Sequence, residues 1–281
     1  MVKIDLITGF LGSGKTTFIK KYATYLMRKG LNIGILENDH GAVNVDMMLL
    51  QELRGDQCEL EMISGGCDAE THRRRFRTKL ISMGMCGYDR VLVEPSGIYD
   101  IDEFFDVLRD EPLDRWYEIG NVIAVVNAGL EETLSDQAEF LLASEVADAG
   151  SIVLSRSQEV SVTKQDATIE HLNRSLVKLG CRRQIKGDEV LRSPWNEWTE
   201  REFEQVLNGG YCTESYRKQE YREDQGFQSL YYMNLQIKKE ELKEKMKEAL
   251  KDPACGKLFR IKGFMQDENE KWIELNATQY E

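Results

Sequence analysis

No apolar run in this 281-residue chain reaches the roughly 18 residues that a membrane-spanning helix requires. No repeat of about 20–50 residues and no low-complexity tract recurs, which argues against solenoid and array architectures. Positive charge is scarce: 37 Lys and Arg against 49 Asp and Glu leave a formal net charge of −12. Nonspecific attraction to nucleic acid or anionic lipid is thereby disfavoured, and neither is expected as a partner. The six cysteines, at 58, 67, 86, 181, 212 and 255, include no C-x-x-C pair and read as thiols in a reducing compartment. Only Cys67, beside Gly65-Gly66, has a suggestive setting. With the N-terminus opening directly into a strand pattern, the chain is expected to be cytoplasmic. A content of 41% hydrophobic and 31% charged residues fits an ordinary folded domain rather than a disordered one.

What is present is the stretch Gly9-Phe10-Leu11-Gly12-Ser13-Gly14-Lys15-Thr16-Thr17, which fits the phosphate-cradling pattern G-x-x-x-x-G-K-[ST]. Small residues let successive backbone N–H groups turn inward around a phosphate, and the helix that follows adds its positive end. Gly12, Ser13, Gly14, Lys15, Thr16 and Thr17 are the expected phosphate-binding residues. Lys15 would bridge the β- and γ-phosphates, and the Thr16 hydroxyl would complete a Mg²⁺ shell. The context agrees: residues 2–7 read as a buried strand, and Phe18, Ile19, Tyr22, Ala23 and Leu26 recur at helical spacing before Gly30.

Further along, residues 31–37 read as a second strand leading into Asn38-Asp39-His40-Gly41, while residues 42–66 show no clear pattern. Residues 72–80 form a basic helix candidate with Arg73, Arg74, Arg75, Arg77 and Lys79, either a solvated face or a docking surface for an acidic partner or phosphate. Residues 88–94 read as a third strand, closed by Glu94-Pro95-Ser96-Gly97. An acid at that point is placed to hold a water on Mg²⁺, and Gly97 to bring a bare N–H to the γ-phosphate. Strands are expected at 121–127 and 151–154, with helices at 134–147 and 163–179. This alternation indicates an α/β fold: a mainly parallel sheet with flanking helices. The texture then changes over residues 186–226, read as a linker. A second unit follows, with strands at 229–235, 257–264 and 272–275 and a charged helix at 238–250. The expected organisation is a nucleotide-binding domain at 1–185, a linker at 186–226 and a small C-terminal α+β domain at 227–281.

Together the motifs resemble the CobW-type P-loop GTPases, relatives of the nickel-insertion GTPases. The family's T-G-F-L-G-[AS]-G-K-T-T corresponds to Thr8 through Thr17, and its E-N-E-F-G-x-x-x-x-D to Glu37-Asn38-Asp39-His40-Gly41 with Asp46. Its E-x-[ST]-G corresponds to Glu94-Pro95-Ser96-Gly97, and the K-G-F of its C-terminal domain to Lys262-Gly263-Phe264. Two motifs depart. The family's G-C-x-C-C falls on Gly66-Cys67-Asp68-Ala69-Glu70, keeping one thiol of three. Cys67 with Glu37 and Glu70 offers a harder S/O₂ set, to which His72 or Cys58 could add a ligand. The base-reading N-K-x-D falls on Ser155-Arg156-Ser157-Gln158. The lost Asp would select guanine through charge-assisted bonds worth about 1.5–3 kcal/mol. Gln158 offers one donor and one acceptor, suiting adenine or guanine, while Arg156 can still stack on a base.

The resemblance implies a slow nucleoside triphosphatase, using GTP or ATP with Mg²⁺, that drives insertion of zinc, cobalt or a cobalamin-type centre into a client metalloprotein or corrinoid protein. Lys15, Glu94 and Asp39 would be its catalytic and switch residues, and a nucleotide-dependent homodimer is a further expectation. Two other readings stand beside it. One is a nonhydrolytic nucleotide-binding adaptor that docks a partner. The other is an ATPase of the partitioning or arsenite-pump kind, against which Phe10 counts, because those enzymes carry a second lysine there.

Overall fold

The computed structural model describes residues 1–39, 45–64, 69–95, 101–216, 237–256, 258, 261–266 and 272–277. The chain opens with β1 (Val2–Thr8), and after the glycine loop comes α1 (Lys15–Arg28). Gly30, at φ 82°, stops that helix, where the N–H groups of Gly30 and Leu31 return to the carbonyls of Met27 and Leu26. The stop takes up Leu31, and Asn32 is tied to Asp89, its N–H donating to Oδ2 at 2.8 Å. The second strand, β2, therefore runs Ile33–Asp39 rather than starting at 31.

The stretch that showed no pattern contains a short helix, α2 (Val45–Leu50), and an edge strand, β3 (Cys58–Ser64). The basic helix is α3 (Ala69–Gly84), longer than expected at both ends. After β4 (Arg90–Pro95) come two further helices, α4 (Ile101–Arg109) and α5 (Leu113–Trp116). The central strand β5 (Tyr117–Asn127) begins four residues earlier than 121. Its first residues pair with β1, and the register slips between Ile4 and Leu6 opposite Gly120. Helix α6 (Asp136–Ala147) is capped by Ser135, β6 spans Ser151–Ser155, and α7 (Val162–Lys178) is capped by Ser161.

The part of the expected linker that the structure describes is instead built into the first unit. Residues Val190–Leu191 form β7, which pairs with β6, and α8 (Glu200–Leu207) begins with a Thr199/Glu202 capping box. A strand of two residues has too little pattern to read, and Trp195, Trp198 and Phe203 are apolar anchors inside a polar stretch. Farther on, α9 (Lys239–Lys251) and the antiparallel pair β8 (Ile261–Gln266) and β9 (Trp272–Ala277) share a small cluster of Met246, Leu250, Leu275 and Ala277. The strand expected over 229–235 lies outside the described residues.

The large sheet has the order β3-β2-β4-β1-β5-β6-β7, and every pairing in it is parallel. Its central strands are apolar on both faces, as a parallel sheet covered on both sides requires. In β5, Val122, Ala124 and Val126 point to one core, which also holds Phe76, Phe104 and Leu172, while Ile123 and Val125 point to the other. That second core holds Phe18, Tyr22 and Leu26 of α1. One charge cluster is buried between the central strands. Asp5 accepts from Arg90 at 2.6 Å, from Tyr22 Oη at 3.0 Å and from the Asn121 N–H at 2.9 Å. A Cβ on Gly120 would come within 2.4 Å of Asp5 Oδ1, so glycine is needed beside it. Among the described residues no helix is long and apolar enough to cross a membrane.

Candidate nucleotide-binding site

The glycine loop joins the carboxyl end of β1 to α1, where an open α/β sheet presents its ligand crevice. Three of its glycines have positive φ: Gly9 at 142°, Gly12 at 77° and Gly14 at 98°. Gly9 has a second constraint, because a Cβ there would sit 2.2 Å from the Val125 carbonyl oxygen. The loop is thus pressed onto β5 and closed by Ser13 N–H donating to Phe10 O at 3.0 Å. Lys15 Nζ arches back and donates to Gly9 O at 2.7 Å, although only 7% of the residue is exposed. The Ser13 hydroxyl, 3% exposed, has no hydrogen-bond partner among the described residues. A buried orphan hydroxyl and a buried lysine that, among the described residues, bonds only to its own loop fit an oxyanion ligand between them.

The metal side lies across β4 and β2. Thr16 Oγ1 donates to Glu94 Oε1 at 3.1 Å, so the helix's first turn and the end of β4 meet as expected for a Mg²⁺ site. Glu37 stands directly across from Glu94 in the β2–β4 register, and both carboxylates are buried. Two acids at one level of a parallel sheet, with a threonine hydroxyl beside them, are a hard oxygen donor set suited to Mg²⁺. Asp39 closes β2 two residues beyond Glu37. Gly97 and Cys67 fall outside the described residues, as do the segments 40–44 and 65–68.

The expected softer metal set is only partly placed. Glu37 is buried at the end of β2, whereas Glu70 is exposed on the first turn of α3. Cys58 is ruled out as an added ligand. The register puts it opposite Ile33, four residues before Glu37 and so about 13 Å down the strand. Burial also pushes its thiol up to about 11. His72 is buried with Nδ1 3.7 Å from Glu103 of α4. Among the described residues, no three His, Cys, Asp or Glu side chains form a metal cluster.

The base side lies across β5 and β6. Arg156 caps β6 in the left-handed region at φ 54°, and Gln158 sits exposed on the turn that follows. Gln165 Nε2 on α7 donates to Ser157 O at 3.0 Å and anchors that turn. Arg156 and Gln158 therefore share one turn, and Ser155, just before it, lies beside Gly14 of the glycine loop. Two residues near the loop were not anticipated. Trp195, from the segment after β7, reaches Gly14: a Cβ there would meet its ring at 3.5 Å and Ser155 at 3.7 Å. Its SPW setting looked like a linker, so its only signal was an aromatic in a polar stretch. Glu145 of α6, 2% exposed, has its carboxyl pushed up to about 8 by burial, against the pull of the Lys15 charge. Nothing in its spacing marked it.

Comparison with known proteins adds an independent view. A family model described as "CobW/HypB/UreG, nucleotide-binding domain" matches residues 3–185. The chain is 28% identical over 196 residues to the zinc chaperone YjiA of Escherichia coli (strain K12), covering 66% of this chain and 56% of that protein. It is 28% identical over 172 residues to the zinc chaperone YeiR of the same organism, covering 59% and 50%. The chain thus spans about half the length of these relatives. Among solved structures, the hydrogenase maturation factor HypB from Archaeoglobus fulgidus is 15% identical at a TM-score of 0.43, covering 74% of this chain and 87% of that one. A Zn(II)-bound triple mutant of the YjiA GTPase is 16% identical at a TM-score of 0.43, covering 99% and 86%.

Proposed function

The chain belongs to the CobW/HypB/UreG nucleotide-binding family, and from that premise we propose that it is a Mg²⁺-dependent nucleoside triphosphatase whose switch serves delivery of a metal or metallocofactor to a client protein. The observation that carries this reading is the joint closure of the loop and the metal side: Lys15 onto Gly9, and Thr16 onto Glu94. The Lys15 ammonium and the first-turn N–H groups of α1 would take the phosphate charge, and Thr16 and Glu94 would orient the hard cation. Bound Mg²⁺ supplies electrostatic stabilisation of the transferring phosphoryl group. Asp39 ends β2 where the switch segment begins, so its contacts would report the γ-phosphate. Among the described residues no side chain of the site is placed as a base for attacking water, and slow intrinsic turnover is the expectation.

The cargo follows from the relatives and from the donor set. Both zinc chaperones above align with this chain, which favours zinc, with cobalt or a corrinoid centre as the alternatives. Cys67, Glu37 and Glu70 would form the cargo site, with Glu37, opposite Glu94 on β4, shared with the Mg²⁺ side. Guanine preference is reduced, because Gln158 replaces a carboxylate. The test is phosphate release by the purified protein. Mg²⁺-dependent release that Lys15→Ala lowers at least about a hundredfold is expected from loss of the phosphate clamp. A second reading, a nonhydrolytic adaptor, is favoured by the altered base loop, where Gln158 stands in place of a carboxylate. Calorimetry showing tight nucleotide binding without turnover, with the client present, would select it.

A further inference from the structure

A cavity of about 270 Å³ opens between α7 and the loop that follows β5. Three cationic or convertible side chains line it, Lys164, His171 and Arg174, with Glu132, Leu130 and Ala167 among the rest of the wall. Residues 164, 171 and 174 are seven and three apart, which places them on one face of the helix. Lys164 and Arg174 give two fixed positive charges on a protein whose net charge is −12. Glu132 is exposed and 3.9 Å from Lys164, too loose a pair to cancel the charge.

The floor of the cavity is wired behind the imidazole. His171 is 4% exposed, and its Nε2 lies 2.8 Å from Glu139 Oε1. Glu139 Oε2 accepts from the Ser175 hydroxyl, and Lys178 stands 3.7 Å from Oε1. Burial works against the Glu139 charge, but the Ser175 and His171 hydrogen bonds with the neighbouring cations hold its carboxyl below the usual range. Glu139 is thus a carboxylate, and the Nε2–H of His171 donates to it. Nδ1 is the ring nitrogen that Glu139 does not engage. It accepts when the ring is neutral and donates when the ring is protonated. Thr168 is already committed as a donor to Ala128 O at 2.8 Å, while Thr133 is exposed at the rim.

We propose that this cavity is a second binding site, separate from the glycine loop, for a small oxyanion of the phosphate class held by Lys164, Arg174 and His171. Its volume suits a phosphate with a few attached atoms and is too small for a nucleotide. Two fixed cations and one proton-dependent donor match a dianion better than a monoanion. The charged groups around the ring are Glu139 and Lys178 on one side, with Glu132, Lys164 and Arg174 on the other. The assignment is independent of the nucleotide reading.

The test uses full-length protein labelled at histidine, whose three imidazoles can be followed by NMR. Orthophosphate, and in a second arm glycerol phosphate, is titrated while the His171 ring signals are read; His171→Asn identifies them. The expected result is a saturable shift of the His171 signals, weakened at least about tenfold in Lys164→Ala/Arg174→Ala, the scale of a lost charge-assisted bond. Tighter binding in one arm names the source of the phosphate. Lys15→Ala, which disables the other phosphate site, leaves the response in place. The proposal is overturned if His171 is unmoved by about 10 mM of either anion. It is overturned equally if the response disappears with Lys15→Ala while surviving in the α7 variant.

Discussion

Burial pushes the Glu145 carboxyl up to about 8, against the pull of the Lys15 charge, so the protonated form predominates at pH 7. Its folded value lies above the ordinary 4.5, so the folded state keeps a proton that the unfolded chain releases. The stability this contributes is complete below about pH 4.5 and is lost as pH rises through about 8. Glu145→Gln keeps the shape without the titration. Urea unfolding across this range should therefore show a flatter pH profile and a gain of a few kcal/mol at alkaline pH; an unchanged profile would refute the assignment. The base loop gives a second residue-scale expectation. Gln158→Asp restores a charged acceptor where Gln offers one donor and one acceptor, so preference for GTP over ATP should rise by about tenfold or more. Competition of the two nucleotides for a fluorescent analogue measures it. The Gln158 departure was legible only through the family resemblance, which supplies the motif that the turn after β6 departs from. Glu145 was not, because a buried acid among the apolar residues of α6 has the same local pattern as a surface one.

At the level of elements, α8 completes the face of the sheet that carries α1. Phe203 stacks on Tyr25 with centroids 4.8 Å apart and meets Trp198 edge-on at 5.2 Å. Trp198 in turn lies against Phe18 at 6.1 Å. Phe203→Ala should cost about 2–3 kcal/mol and lower the melting temperature by several degrees, with the sheet itself intact by circular dichroism. The elements that sequence periodicity revealed are those whose burial is one-sided or complete. Phe18, Tyr22 and Leu26 gave α1 its stripe, and Val91-Leu92-Val93 gave β4 its run. The edges were hidden for physical reasons. β3 alternates Glu59 and Glu61 with apolar residues because one rim of it meets solvent, β7 is two residues long, and the start of β5 is interrupted by Gly120, which is glycine because Asp5 leaves no room for a side chain.

For the whole molecule, the sheet and its second core continue past residue 185 to the segment that supplies β7, Trp195 and α8. A chain cut after 185 exposes Phe18 and Tyr25 and removes an edge strand, whereas a chain cut after 216 keeps both. The longer fragment is expected to stay monodisperse and to bind nucleotide, and the shorter to aggregate; size-exclusion chromatography with calorimetry separates the outcomes. The ring of Trp195 beside Gly14 has a practical corollary. An indole resting against Gly14 is expected to change its emission when nucleotide fills that cradle. Native tryptophan fluorescence titrated with GTP and ATP would then rank them without attaching a dye.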